Sequence, residues 1–197
     1  MTYRDHLSKD KRLAKILGEE IHELKYHQNI PLRLMASIMS QQLHTKVAKI
    51  IYHRFLELYH GYEPEPQEVL ATGPETLRAI GLSNAKVKYV HNVAAFCIEH
   101  RVTDTMLLAM SNDEIINFLT PIKGVGRWTV EMLLMFTLGR EDVFPVADLG
   151  IQNAMKKLYG LEELDKKQLL IKIEKLSLKW KPYRTYACLH LWRWKDE

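Results

Sequence analysis

Residues 121–148, PIKGVGRWTVEMLLMFTLGREDVFPVAD, hold the residues best suited to chemistry. Gly124 and Gly126 flank Val125 in a turn short enough to aim several backbone N–H groups at one anion. Lys123, Arg127 and the hydroxyl of Thr129 stand beside the glycines and could add to a phosphate grip. A run that is apolar nearly all round follows, and then a lone carboxylate, Asp148. An anion grip followed at a fixed distance by a carboxylate points to chemistry on a nucleic acid, where an anion can stabilise a developing positive charge or orient a water. A bare tight turn and an aspartate that merely caps a helix are the structural alternatives, and these residues alone leave them open.

Two further groups suit the same chemistry. Trp128 directly follows the turn, and Trp192 and Tyr186 lie in a C-terminal helical segment, 183–194. Aromatic faces stack on extruded bases and attract cationic ones more strongly, although tryptophans also fill cores. The polar connector Ser40-Gln41-Gln42-Leu43-His44-Thr45 carries one apolar residue at its centre. Such a residue can wedge into a base stack, with Gln42 and His44 as its minor-groove neighbours; an ordinary turn with a buried Leu43 is the alternative.

The elements that must position these groups read as helices. Val47, Ile50, Ile51, Phe55 and Leu58 fall on one helical face within 44–59, and Leu13, Ile16, Leu17, Ile21 and Leu24 do so near the N-terminus. Ser111 with Glu114 forms a capping-box pattern, Ser83 is placed to cap a helix reaching His100, and Asp148 precedes the helical spacing of Ile151, Ala154 and Met155. A helix ending near Leu119, a turn over 121–126 and a helix from Arg127 make a helix-hairpin-helix pattern. The alternation needed for a strand is missing, since Val143 to Val146 is short and contains Pro145. The expectation is an all-α fold of about ten helices.

Composition excludes several classes. A hydrophobic content of 47% in 197 residues is that of a packed globular chain, and the net charge of +4 permits a nucleic-acid partner without requiring one. Two cysteines, Cys97 and Cys188, cannot supply the usual thiolate set of an iron–sulfur cluster, and no Cys/His spacing builds a zinc site. The absence of a signal-peptide core or a bilayer-length apolar run gives an intracellular expectation, in the cytoplasm or nucleoid, with no membrane partner.

Taken together, SIMSQQLHTKVA, IGLSNAKVKYV, GVGRWT, VFPVAD and YRTYACLHLWRW resemble, in this order, the helix-hairpin-helix (HhH-GPD) DNA glycosylase superfamily, in its alkylpurine branch of the DNA-3-methyladenine glycosylase II type. The resemblance spans Leu32 to Trp194. It implies a two-lobed helical bundle with an interlobe DNA-binding cleft, in a single domain whose lobes are about 33–118 and 1–32 packed with 119–197. It also implies a monofunctional enzyme that flips 3-methyladenine or 7-methylguanine type bases from double-stranded DNA and hydrolyses the N-glycosidic bond in base excision repair, acting as a monomer.

By the same resemblance, Asp148 is the catalytic carboxylate, Trp128, Trp192 and Tyr186 form the base-stacking pocket, and Gln42, Leu43 and His44 serve as wedge and minor-groove contacts. Lys123, Gly124, Gly126 and Thr129 grip phosphate, and the backbone carbonyls of Thr120, Ile122 and Val125 match positions that hold a monovalent cation. Catalysis then requires no cofactor and no iron–sulfur cluster. Trp128 stands where lyase branches carry a Schiff-base lysine, Lys123 where many relatives have proline, and Arg193 where some have an aromatic ring. A glycosylase for another damaged or mismatched base, and a non-catalytic helix-hairpin-helix module that binds DNA, are the alternatives.

Overall fold

The computed structural model describes residues 2–19 and 24–196, and among them the regular structure is entirely helical. Two compact units divide the chain: one comprises Tyr26–Leu133, the other Met1–Lys25 with Leu134–Glu197.

In the central unit, α2 (Ile30–Ser40), α3 (Thr45–Glu57), α4 (Pro66–Ala71), α5 (Pro74–Ala79) and α6 (Asn84–Glu99) precede α7 (Asp104–Ala109), α8 (Asn112–Leu119) and the start of α9 (Arg127–Phe136). The unit is organised by α6, against which α2, α4 and α5 pack. Its Val87, Val90, Val93, Ala94 and Cys97 are buried at helical spacing. Burial pushes the Cys97 thiol up to about 12, so this cysteine is an inert core residue. Ser83 caps α6 by accepting from the Lys86 N–H, and Ser111 with Glu114 closes the capping box that opens α8. The face expected on α3 is only half realised. Ile51 and Phe55 are buried, whereas Val47 and Ile50 are 44% and 50% exposed, because α2 covers only one side of this helix.

The other unit holds α1 (Tyr3–Leu7), a 3-10 turn over Leu13–Ile16, the end of α9, α10 (Leu149–Tyr159), α11 (Lys166–Ser177), a second 3-10 turn over Leu178–Trp180, and α12 (Arg184–Asp196). The N-terminal periodicity becomes the short turn over Leu13–Ile16 rather than a long helix, and the expected Ile21 lies outside the described residues. A buried carboxylate ties this segment down. Asp10 accepts from the Trp180 indole at 3.0 Å, from the Tyr159 hydroxyl, and from the Leu13 N–H, and pairs with Lys179. Those donors hold its carboxyl down at about 2 against the opposing effect of burial. α12 packs on α10 and brings the Trp192 indole beside the start of that helix.

Candidate catalytic site and nucleic-acid interface

The central unit carries the hairpin and the connector. α8 ends at Leu119, the chain turns through Ile122 and Val125, both buried, and α9 starts at Arg127, as the glycine spacing predicts. Gly124 has φ +105°, and a Cβ there would fall 2.2 Å from the Tyr89 ring, so glycine is required both by its backbone and by the close approach of α6. Gly126 has no heavy atom within 4 Å of an added Cβ, which leaves its backbone open to an approaching ligand. The turn is fixed from α6 again by the Asn92 side-chain amide, which donates to the Lys123 carbonyl at 3.0 Å. The Lys123 side chain itself is exposed. Arg127 pairs with buried Glu131 at 3.0 Å.

Thr129 departs from its expected role. It is buried, and its hydroxyl oxygen accepts from the Gln41 amide at 3.2 Å. In the first turn of α9, the side chain faces inward beside buried Val130, so it braces the connector instead of reaching for phosphate. The connector is therefore tied to the hairpin helix. It is also clamped from α6: the Lys86 ammonium donates to the carbonyls of Met39 at 2.8 Å and Gln41 at 2.7 Å, and its desolvation lowers the lysine pKa. At the tip, Gln42 adopts a left-handed φ of +59°, Leu43 is half-buried, and His44 caps α3.

Sequence reasoning missed the three residues on α6 that organise both loops. Lys86, Tyr89 and Asn92 recur every third residue, which puts them along one helical face over about 9 Å. That polar and aromatic stripe, running beside the buried face of Val87, Val90, Val93, Ala94 and Cys97, is the signal that would have found them.

The second unit carries the carboxylate. Asp148 caps α10: its Oδ1 accepts the Ile151 N–H at 2.8 Å and the Trp192 indole N–H at 2.9 Å. The residue is partly exposed. One face of Trp192 lies on Phe136, with ring centroids 6.0 Å apart. Gly150, also missed, sits inside this arrangement. A Cβ there would stand 3.0 Å from Asp148 Oδ1, 3.0 Å from Trp192 Cδ1 and 3.1 Å from its Nε1. The clue was a glycine in the first turn of a helix, where its low propensity demands a packing reason. Trp128 is 44% exposed on α9 in the other unit.

Tyr186 is a correction. It is buried, stacked on Tyr3 with centroids 4.2 Å apart, and donates its hydroxyl to Glu141 at 2.9 Å. It lies on the inner face of α12, and Tyr3 takes the ring surface that a base would need.

Among the described residues, no group of three or more His, Cys, Asp or Glu side chains is arranged to hold a metal, and no helix is long and apolar enough to cross a membrane.

Residues 35–180 match the family model described as HhH-GPD superfamily base excision DNA repair protein. DNA-3-methyladenine glycosylase 1 of Schizosaccharomyces pombe is 37% identical over 186 residues, covering 93% of this chain and 80% of that protein. The putative DNA-3-methyladenine glycosylase YfjP of Bacillus subtilis is 32% identical, covering 96% of this chain and 67% of that protein. The solved structure of the fission-yeast 3-methyladenine DNA glycosylase in complex with abasic DNA superposes with a TM-score of 0.85 at 34% identity, over 100% of this chain and 98% of that one. A family match over residues 35–180, most of the chain, together with a relative 37% identical over 93% of it, means that this chain belongs to the HhH-GPD superfamily of base excision DNA repair proteins.

Proposed function

We propose that the protein is a monofunctional DNA glycosylase that removes alkylated purines of the 3-methyladenine and 7-methylguanine type from duplex DNA. The observation that carries this reading is the Asp148 carboxylate, partly exposed and fixed by two N–H donors at the head of α10. An N3- or N7-alkylated purine already bears positive charge, so it leaves without a general acid. Positive charge then develops on the sugar as the glycosidic bond breaks. Asp148 stabilises that charge and orients the attacking water. Trp128, 44% exposed, supplies an aromatic ring for the electron-poor base and no amine for a Schiff base.

The open backbone at Gly126, with Gly124 and Lys123, grips phosphate, and Leu43 fills the gap left by the flipped base, flanked by Gln42 and His44. The carbonyls of Thr120, Ile122 and Val125 form a neutral oxygen set suited to a monovalent cation, not to a transition metal. The Ile122 carbonyl already accepts the Val125 N–H at 2.9 Å and retains one lone pair for such an ion. Bound there, the ion stiffens the turn. The enzyme acts as a monomer in the cytoplasm or nucleoid, where its substrate lies.

The test is release of free bases from methylated duplex DNA, followed by chromatography. The wild-type protein releases 3-methyladenine and 7-methylguanine, and Asp148→Asn is slower by at least about a hundredfold. Borohydride traps no covalent adduct. Near-normal release by Asp148→Asn, or efficient trapping, would overturn the assignment.

A further inference from the structure

We infer that Trp192 is a positioning residue for Asp148, acting through its indole N–H and not through its ring face, and that Gly150 is glycine because a Cβ there would crowd this contact and push it apart. The inference rests on the reading of Asp148 as the catalytic carboxylate.

The geometry is specific. A carboxylate at a helix N-cap can rotate about its Cβ–Cγ bond while keeping one oxygen near the helix N–H groups. Here one oxygen, Oδ1, receives two donors from different directions: the Ile151 N–H along α10 at 2.8 Å and the Trp192 Nε1–H from α12 at 2.9 Å. Two donors on one atom fix the plane of the group as well as its place. The indole is itself held in orientation, since Phe136 lies against one face with an interplanar angle of 28°. Gly150 completes the fit: an added Cβ would crowd both ends of the hydrogen bond, at 3.0 Å from Oδ1 and 3.1 Å from Nε1. α12 must therefore dock on α10 at one position for the carboxylate to be aimed.

A base-stacking ring and a carboxylate clamp make different demands. Stacking needs an aromatic face and is sensitive to which base is bound. A clamp needs an N–H, and its loss slows every substrate alike.

Trp192→Phe keeps an aromatic ring and removes the donor. Single-turnover excision should slow about 10- to 100-fold, by the same factor for 3-methyladenine and 7-methylguanine. DNA affinity should stay unchanged, so the loss falls on the chemical step and not on binding. Gly150→Ala, which leaves the indole intact, should reproduce the slowing at unchanged DNA affinity by displacing the contact. It supplies the reading if Trp192→Phe does not fold, as judged by circular dichroism. Excision at the wild-type rate by either folded variant, a loss confined to one base, or a slowing matched by an equal loss of DNA affinity overturns the inference. Failure of the wild-type protein to release any methylated base would instead sink the proposed function, so the two failures are distinct.

Discussion

The Gln41 side-chain amide donates to the Thr129 hydroxyl at 3.2 Å, which links the connector ahead of α3 to the first turn of the hairpin helix α9. Those segments are 88 residues apart in sequence, and both belong to the central unit. A residue expected to touch phosphate is thus a brace between the connector and the hairpin helix.

This distinction is measurable through salt. Thr129→Val should leave the salt dependence of duplex binding unchanged, because no phosphate contact is lost, while excision slows several-fold as the connector loosens. Lys123→Glu should weaken binding to damaged and undamaged duplexes alike and reduce the slope of log affinity against log salt by about one. A reduced slope in Thr129→Val would return its hydroxyl to the phosphate grip.

Lys86 should matter for the same connector. Its ammonium satisfies two carbonyls, those of Met39 and Gln41, so Lys86→Met leaves both without that donor. The expected cost is about 1–3 kcal/mol in urea unfolding, with an excision defect larger than the defect in binding undamaged duplex. Lys86→Arg should recover part of both.

The two hairpin glycines should separate cleanly. Gly124→Ala meets the Tyr89 ring and a left-handed φ, and should cost at least about 2 kcal/mol, or about 5 °C in Tm. Gly126→Ala meets nothing and keeps its stability, so any loss of duplex affinity reports a Cβ standing between backbone and phosphate.

Acid stability should depend on His190. It is fully buried without a hydrogen-bond partner for either ring nitrogen, and burial, helped by Arg193 and Arg4, lowers its pKa to about 4; the Tyr3 ring is 6.1 Å away. The unfolded chain takes up the proton first as pH falls from the ordinary histidine range near 6.5 toward 4. Stability is therefore intact above that window and declines within it, by about 3 kcal/mol for this group. His190→Leu should flatten that part of the decline. Chemical denaturation at pH 7.5 and 4.5 measures it against the wild type, and equal declines in both proteins would contradict the role.

Local patterns made much of this readable in advance. The Ser83 cap, the Ser111–Glu114 box, the hairpin limits and the Asp148 cap all follow from short-range hydrogen bonding, which a few adjacent residues specify. Burial was less legible. Val47 and Ile50 share a periodicity with Ile51 and Phe55, yet they remain exposed because one neighbour covers only part of α3.

The sequence by itself determined the helical class, the glycine turn and the carboxylate at the head of α10, since each depends on backbone preferences within a few residues. Only the tertiary structure decided what the side chains do once helices distant in sequence meet. It took Tyr186 into a stack with Tyr3, turned Thr129 toward Gln41, and set Trp192 on the oxygen of Asp148 across a gap that Gly150 keeps open. Contacts of that kind depend on how helix faces dock, and periodicity specifies which residues share a face without specifying what that face will touch.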